Sequence, residues 1–273
     1  MLRSIDLGGV ELQTFGIFFA LNFLCWAAVV ARRLKEIGKP VDWAYEILFV
    51  ALIGGLVGAR GYFLLQNWDE VKDDVFGNLL SGAGLIWYGG LIGGVIAVLI
   101  WAKWRRFLSL QLVDMAAIGL PLGYAIGRIG CQISGDGDYG QVSSLPWAMG
   151  FPDGAVPTDP GVTVQPTPLY ETLSMGLLAF VLWNLRDRFR PGVLFGFYLI
   201  GAGLERFLVE FARLNDSVVG FMTAAQVESL VMFLFGIVWL LVMRARNGGQ
   251  LRKPDPEPEP RRRARGGRRP ATA

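Results

Sequence analysis

Residues 12–35 read LQTFGIFFALNFLCWAAVVARRLK: no charge from Leu12 to Ala31, then Arg32, Arg33 and Lys35 at once. A bilayer core of roughly 30 Å needs about 20 mainly apolar residues as helix, so this stretch predicts a transmembrane helix with a basic end. No basic region precedes it and no small-residue cleavage site follows it. An uncleaved helix is therefore expected in place of a removed signal peptide. The remainder of the chain has the same character. Its 273 residues are 53% hydrophobic and 18% charged, with a mean hydropathy of +0.42, too little charge to clothe a soluble globule of this size.

Working outward, seven spans are expected near residues 14–31, 44–66, 83–102, 108–131, 168–185, 192–213 and 222–243. Breakers and polar runs separate them at Gly38-Lys39-Pro40, 67–74, 132–165, Arg190-Pro191-Gly192 and 215–217. Of the 26 lysines and arginines, 20 follow spans one, three, five and seven, while Arg3 and Lys72 lie on the opposite side. The positive-inside rule then puts the N-terminus outside and the C-terminus in the cytoplasm. The expected fold is an all-α membrane protein of seven transmembrane helices over residues 1–246, with a small extracytoplasmic head segment at 132–167. Residues 247–273 change character, to a Pro/acidic run and then an Arg-rich one, and are expected to form a disordered cytoplasmic tail near anionic lipid. Without aromatic interleaving in that tail, no nucleic-acid partner is expected.

Composition also excludes chemistry. There is no histidine, which removes Ser-His-Asp and Cys-His catalysis and His-ligated zinc sites. Cys25 and Cys131 form no CxxC pair, so neither a metal nor a disulfide framework is expected. Cys131 is read as a small packing residue and Cys25 likewise. No cofactor is implied.

Four arginines fall inside expected spans: Arg60, Arg128, Arg206 and Arg213. Charge there costs at least about 2.5 kcal/mol per residue on insertion scales and needs a reason. Spans two, four and six start from the cytoplasmic side, so Arg60, Arg128 and Arg206 lie roughly 24, 30 and 21 Å along them, all in the outer half of the bilayer. The first turns of the opposing spans put Phe15, Tyr88, Tyr170, Glu171 and, slightly deeper, Glu228 at a comparable level. Arg206, Glu210 and Arg213 follow helical i, i+4, i+7 spacing, which predicts a carboxylate between two guanidiniums. With too few carboxylates nearby for every arginine, an anionic ligand is expected, and guanidinium forks best onto phosphate. Asp114, nearer the cytoplasmic end of span four, is expected to be a structural hydrogen-bond partner. Small-residue seams are expected at Gly54/Gly58, Gly90/Gly94 and Gly119/Gly123/Gly127.

After span four the chain reads Gly127-Arg128-Ile129-Gly130-Cys131-Gln132-Ile133-Ser134-Gly135-Asp136-Gly137-Asp138-Tyr139-Gly140. Read as a loop, its glycines expose backbone N–H groups to an anion. This run resembles the signature of the prolipoprotein diacylglyceryl transferases. Further similarity lies in Gly58-Ala59-Arg60, Tyr88-Gly89-Gly90-Leu91-Ile92-Gly93-Gly94, Asp114, Pro166-Thr167-Pro168-Leu169-Tyr170-Glu171, Gly201–Arg206 and Val209-Glu210-Phe211-x-Arg213. The resemblance spans roughly residues 10–245.

It implies a multi-pass protein of the bacterial cytoplasmic (inner) membrane. The implied activity moves a diacylglyceryl group from phosphatidylglycerol to the lipobox cysteine of a prolipoprotein, giving a thioether and glycerol phosphate. It implies that Arg128 is the phospholipid-binding arginine, Arg206 a second essential one, and Gly140 the glycine closing the signature. Catalysis is assigned to Arg128, Arg206, Tyr88 and Glu210. Phospholipid binding is assigned to Arg128, Arg206, Ser134, Gly135, Gly140 and Arg60, with Asp136, Tyr170, Glu171 and Asp114 in support. The chain departs from the family pattern where Tyr88 stands for a histidine, Cys131 and Ser134 for asparagines, Asp136 for a glutamate, Phe15 and Ala202 for tyrosines, and Gln165-Pro166-Thr167-Pro168 for a His-Pro-Thr/Ser-Gln run.

A thiol of pKa about 8.5 is already a few per cent ionised at neutral pH, and nearby cations increase that fraction. Arginine cannot be the base. The proton acceptor is left open between Glu210, Glu171, Asp136, substrate phosphate and water, with no single dedicated base required. A non-catalytic relative that binds or moves anionic phospholipid is the alternative function. A transporter is not indicated, since no paired broken helices recur in matching halves.

Overall fold

The computed structural model describes residues 2–6, 8–9, 11–72 and 86–251. The expected start of the third span at 83–85, positions 73–74 of the break before it, and the tail from residue 252 onward lie outside the described residues. Seven long helices make up the described body. They are α1 (Thr14–Glu36), α2 (Trp43–Gln66), α3 (Trp87–Trp104), α4 (Leu110–Ser134), α5 (Thr167–Leu185), α6 (Val193–Val209) and α7 (Ala224–Asn247). A single helical turn, Trp68–Val71, follows α2, and a 3₁₀ turn, Glu210–Ala212, follows α6. Of these helices α1, α2, α4 and α7 are long and apolar enough to cross a membrane, and Tyr88–Trp104 is a shorter apolar stretch. The protein is thus a mainly helical membrane protein.

Two antiparallel hairpins were not anticipated: β1 (Ser4–Asp6) with β2 (Glu11–Gln13), register Ser4 to Gln13, and β3 (Ser217–Val219) with β4 (Met222–Thr223), register Ser217 to Thr223. Each is too short to show a clear alternation of apolar and polar residues in the sequence.

Close helix contacts run in the order α3, α2, α1, α4, α5, α6, α7, with α4 also touching α6. Glycine sets the tightest of them, but the seam on α3 is one residue off the expected one. A Cβ on Gly58 would lie 2.3 Å from the Gly89 carbonyl oxygen, and one on Gly93 would lie 2.3 Å from that of Gly54. Gly90 has ordinary clearance, its nearest atoms 3.5 Å away, and Gly94 is only slightly tight, 3.3 Å from the Ala51 carbonyl oxygen. On α4, Gly119 accommodates Trp26 of α1, Gly123 faces Asn22, and Gly127 is open.

A buried apolar cluster (Val30, Leu34, Ala44, Ile47, Trp101, Phe107, Met115) fills the end where α1 finishes and α2 begins. Basic residues at that end are tied down. Arg33 pairs with Asp187 at 2.7 Å, Arg186 with Glu36 at 3.0 Å, and Arg105 Nε donates to Glu46 at 2.8 Å. Asp114 takes the structural role expected of it. Its carboxylate accepts from the backbone N–H groups of Gly192 (2.7 Å) and Phe195 (3.0 Å), capping α6 from a neighbouring helix.

Between α4 and α5 the chain folds into a small head. Its centre is Phe151, 1% exposed, stacked on Tyr139 and donating its N–H to the Thr158 hydroxyl oxygen at 2.9 Å. Arg3 reaches the Asp153 carbonyl from the N-terminal hairpin.

Candidate functional site: an arginine cluster around Glu171

α4 does not stop at residue 131. It continues to Ser134, where Gly135 adopts a left-handed conformation (φ 60°) and donates its N–H to the Cys131 carbonyl, 2.9 Å. A glycine in that conformation is the usual helix terminator. Much of the signature is therefore helix, not loop, which keeps Arg128 on a rigid element one turn above Tyr124.

From there, Arg128 Nε lies 2.9 Å from Glu171 Oε2, and Arg128 Nη2 donates to the Tyr124 hydroxyl at 2.9 Å. Tyr124 in turn donates to Glu171 Oε1 at 2.8 Å. Arg206 on α6 approaches the same carboxylate at 3.6 Å, and Arg213 at 3.5 Å. Glu171, wholly buried in the first turns of α5, is the hub of three guanidiniums. Arg128 and Arg213 also share Asp138, the former through Nη1, the latter at 2.8 Å.

This overturns two expectations. Glu210 does not sit between Arg206 and Arg213, because the helix gives way to a 3₁₀ turn after Val209 and swings Arg213 towards Asp138. Glu210 instead pairs with Arg206 at 2.7 Å and accepts from Asn215 (2.6 Å) and the Thr223 hydroxyl (2.7 Å). Nor are carboxylates scarce: Glu171, Asp138 and Glu210 match the three arginines, with Glu205 held by Ser174 beside them at 3.2 Å. The signal missed was local. Tyr124 stands one helical turn before Arg128, and Asp138 lies inside the signature itself.

Burial pushes the Asp138 carboxyl up, but the Arg128 and Arg213 guanidiniums outweigh it and hold the group below its ordinary range. Thr167 fixes the loop here by donating to the Asp138 carbonyl at 2.6 Å. Asp136 accepts from the Asp138 N–H at 3.3 Å, and the Cys131 sulfur lies within 4.8 Å of both carboxylates.

The Gly135 and Gly140 N–H groups are not turned outward. Gly140 donates to the Gln165 carbonyl at 2.8 Å, as Gly135 does to Cys131. A Cβ on Gly140 would lie 2.1 Å from the Ala212 carbonyl oxygen, so this glycine permits the signature to lie against the turn after α6. Gln141 N–H then bonds that same carbonyl at 2.8 Å. The buried Ser134 hydroxyl points into its own helix, 3.3 Å from the Cys131 carbonyl. Tyr170 accepts from the Trp147 indole in the head at 2.7 Å.

Arg60 is buried on α2 with its guanidinium over the Phe63 ring at 5.1 Å, apart from the Glu171 ion pairs. The Gly58/Gly89 and Gly54/Gly93 contacts set Arg60 opposite residue 87, at the start of α3. Tyr88, half-exposed at the start of α3, donates its hydroxyl to Glu228 of α7.

A family model described as prolipoprotein diacylglyceryl transferase matches residues 3–242. Relatives named phosphatidylglycerol–prolipoprotein diacylglyceryl transferase include one from Pasteurella multocida, 32% identical over 87% of this chain and 90% of its own length. Another, from Leptospira interrogans, is 30% identical over 76% and 73% of the two chains. A third, from Clostridioides difficile, is 29% identical over 89% and 96%. An arginine signature laid against a buried carboxylate and a match over nearly the whole helical body lead to one conclusion: the chain belongs to the prolipoprotein diacylglyceryl transferase family.

Proposed function

We propose that this chain transfers a diacylglyceryl group from phosphatidylglycerol to the lipobox cysteine of prolipoproteins. The carbon–oxygen bond to phosphate breaks as the sulfur–carbon bond forms, and glycerol phosphate leaves. The supporting observation is the convergence of Arg128, Arg206 and Arg213 on Glu171. Three fixed guanidiniums in a layer of reduced dielectric favour charge gathering on a leaving phosphate. Because the cluster is already balanced by carboxylates, an incoming phosphate must replace one of them. Asp138, with a side chain 37% exposed, is the exchangeable partner, while buried Glu171 stays and orients the arginines.

In this reading Arg128 and Arg206 bind phosphate and stabilise the leaving group. Glu210 positions Arg206. Gly135, Gly140 and Ser134 shape the backbone that presents Arg128, Asp136 and Tyr170 support the head, and Asp114 anchors α6. Arg60 and Tyr88 belong to the same layer. All seven helices cross the bacterial inner membrane as one transferase domain, N-terminus outside, with the head on the outer face and the Arg-rich tail in the cytoplasm.

The test is mass spectrometry of a lipobox peptide incubated with the purified chain and phosphatidylglycerol. A thioether-linked diacylglyceryl adduct is expected. Arg128→Ala and Arg206→Ala should each lower its formation by about 10²–10³-fold, the usual cost of removing one preorganised charge-stabilising donor. Full activity of the Arg128 variant would overturn the reading. Phospholipid binding without any adduct would favour a non-catalytic relative.

A further inference from the structure

The arginine cluster handles the leaving phosphate but not the thiol proton. Its carboxylates are engaged or enclosed: Glu171 by three arginines, Asp138 by two, Glu210 by Arg206, Asn215 and Thr223, and Glu205 buried with the Ser174 hydroxyl donating to it. Glu228 differs. It stands in the second turn of α7 as that helix's one acidic residue, is exposed, and among the described residues forms no ion pair with a lysine or arginine. An acidic side chain in such a segment calls for a function. Its hydrogen bond comes from the Tyr88 hydroxyl, also exposed, on the helix at the opposite end of the packing order.

Depth places this pair at the reaction layer. A Cβ on Gly203 of α6 would meet the Ser229 carbonyl oxygen at 2.7 Å and the Phe233 nitrogen at 2.9 Å, and Glu210 meets Thr223. That antiparallel register sets Arg206 level with residues 227 and 228. Tyr88 is level with Arg60 through the glycine contacts of α2 and α3. Among the described residues, the other charged or titratable groups of this layer on the helices packed against α3 and α7 are Tyr62 and Arg60 on α2 and Glu205, Arg206 and Glu210 on α6. Tyr62 has its Cβ against Gly89.

We propose that the Tyr88–Glu228 pair takes the thiol proton in the transfer reaction, an inference that rests on the function proposed above. The thiol proton passes to the Tyr88 oxygen as the phenol proton passes to the Glu228 carboxylate. The resulting sulfur anion forms the bond to the glycerol carbon, and the electron pair of the broken carbon–oxygen bond leaves with phosphate. Tyr88 is the group that meets the thiol, and Glu228 acts through it as a positioning and proton-accepting residue.

The test measures transfer rates from phosphatidylglycerol vesicles to a lipobox peptide with the full chain, Glu228→Gln, Glu228→Asp and Tyr88→Phe, from about pH 6 to about pH 10. Near neutral pH, Glu228→Gln and Tyr88→Phe should lower kcat by about 100-fold, in the range for a lost proton-transfer group, with KM for phosphatidylglycerol unchanged. The deficit should shrink as pH rises past the ordinary thiol value of about 8.5, because an ionised thiol needs no acceptor. Glu228→Asp should recover part of the neutral-pH rate. A deficit of equal size at every pH, or none, would overturn this proposal alone. Absence of transfer by the unaltered chain would overturn the parent reading and this one with it. Unchanged KM in the variants shows that they are folded and binding lipid, and a raised KM with unchanged kcat would overturn the proposal in favour of a purely structural contact.

Discussion

Arg128 Nε and Glu171 Oε2 are 2.9 Å apart, and the carboxylate side of that pair is wholly buried. A buried pair contributes little by itself, yet removing one partner leaves the other charge uncompensated, at a cost of about 3–5 kcal/mol. Here Glu171 serves Arg206 and Arg213 as well. Glu171→Gln should therefore destabilise the detergent-solubilised protein by at least that order, read as a lower thermal unfolding midpoint. Anionic phospholipid should restore more stability to this variant than to the unaltered chain, since it replaces a missing negative charge. Equal midpoints without lipid would show that the hub contributes no net stability.

The two glycines at either end of the signature should respond in opposite ways. At Gly140 a methyl group would sit 2.1 Å from the Ala212 carbonyl oxygen, a backbone atom that cannot rotate away, and 2.8 Å from Thr167 Cγ2. Gly127 has nothing within 4 Å of its Cβ position. Gly140→Ala should separate the signature from the turn after α6, break the Gln141–Ala212 bond, and cost about 1–3 kcal/mol as overpacking does. It should also lower transfer, because Arg213 leaves Asp138. Gly127→Ala should match the unaltered chain in unfolding midpoint and rate, the helix gaining slightly from alanine.

The helical framework was legible in the sequence because a bilayer leaves few options: charge-free runs such as 12–31 must be helices, and their breaks are marked by glycine, proline and polar residues. Rise per residue sufficed to set Arg128, Arg206 and Glu171 at one level. What it could not supply was rotation. Helical spacing put Glu210 between Arg206 and Arg213, but one 3₁₀ turn redirected Arg213, and Glu171 from another helix became the hub. Likewise the spacing of Gly90 and Gly94 marked α3 as tightly packed without fixing which adjacent pair, Gly89 and Gly93, faces α2. Contacts between distant segments, such as Asp138 with Arg213, have no local signature. The two hairpins are too short for alternation to emerge.

That one-residue shift on α3 can itself be tested. Gly93→Ala places a methyl group 2.3 Å from the Gly54 carbonyl oxygen and 2.7 Å from Gly58 Cα, so α2 and α3 must part along their whole contact. Gly94→Ala has its nearest neighbour, the Ala51 carbonyl oxygen, at 3.3 Å. The first substitution should lower the unfolding midpoint markedly and displace Tyr88, which depends on this seam for its place. The second should shift the midpoint by no more than about 1 kcal/mol in equivalent stability. Reversal of that order would mean the helices meet through the other pair of glycines.

Asp138 gives the site a defined acid limit. Its folded-state carboxyl is held below the ordinary value, since Arg128 and Arg213 outweigh the effect of burial. A carboxyl depressed on folding contributes stability that is complete above its unfolded value of about 3.9 and disappears as pH falls through its folded value. Stability measured from neutral pH down to about pH 5 should thus show no pH dependence from this group, whose contribution is full throughout that range, and the loss should begin only below about pH 4. Asp138→Asn, which cannot ionise, should be less stable at neutral pH and should lack that part of the acid-side loss, so the two curves converge at low pH. Parallel curves down to the acid limit would show that the Asp138 charge does not hold the end of α4 to the segment after α6.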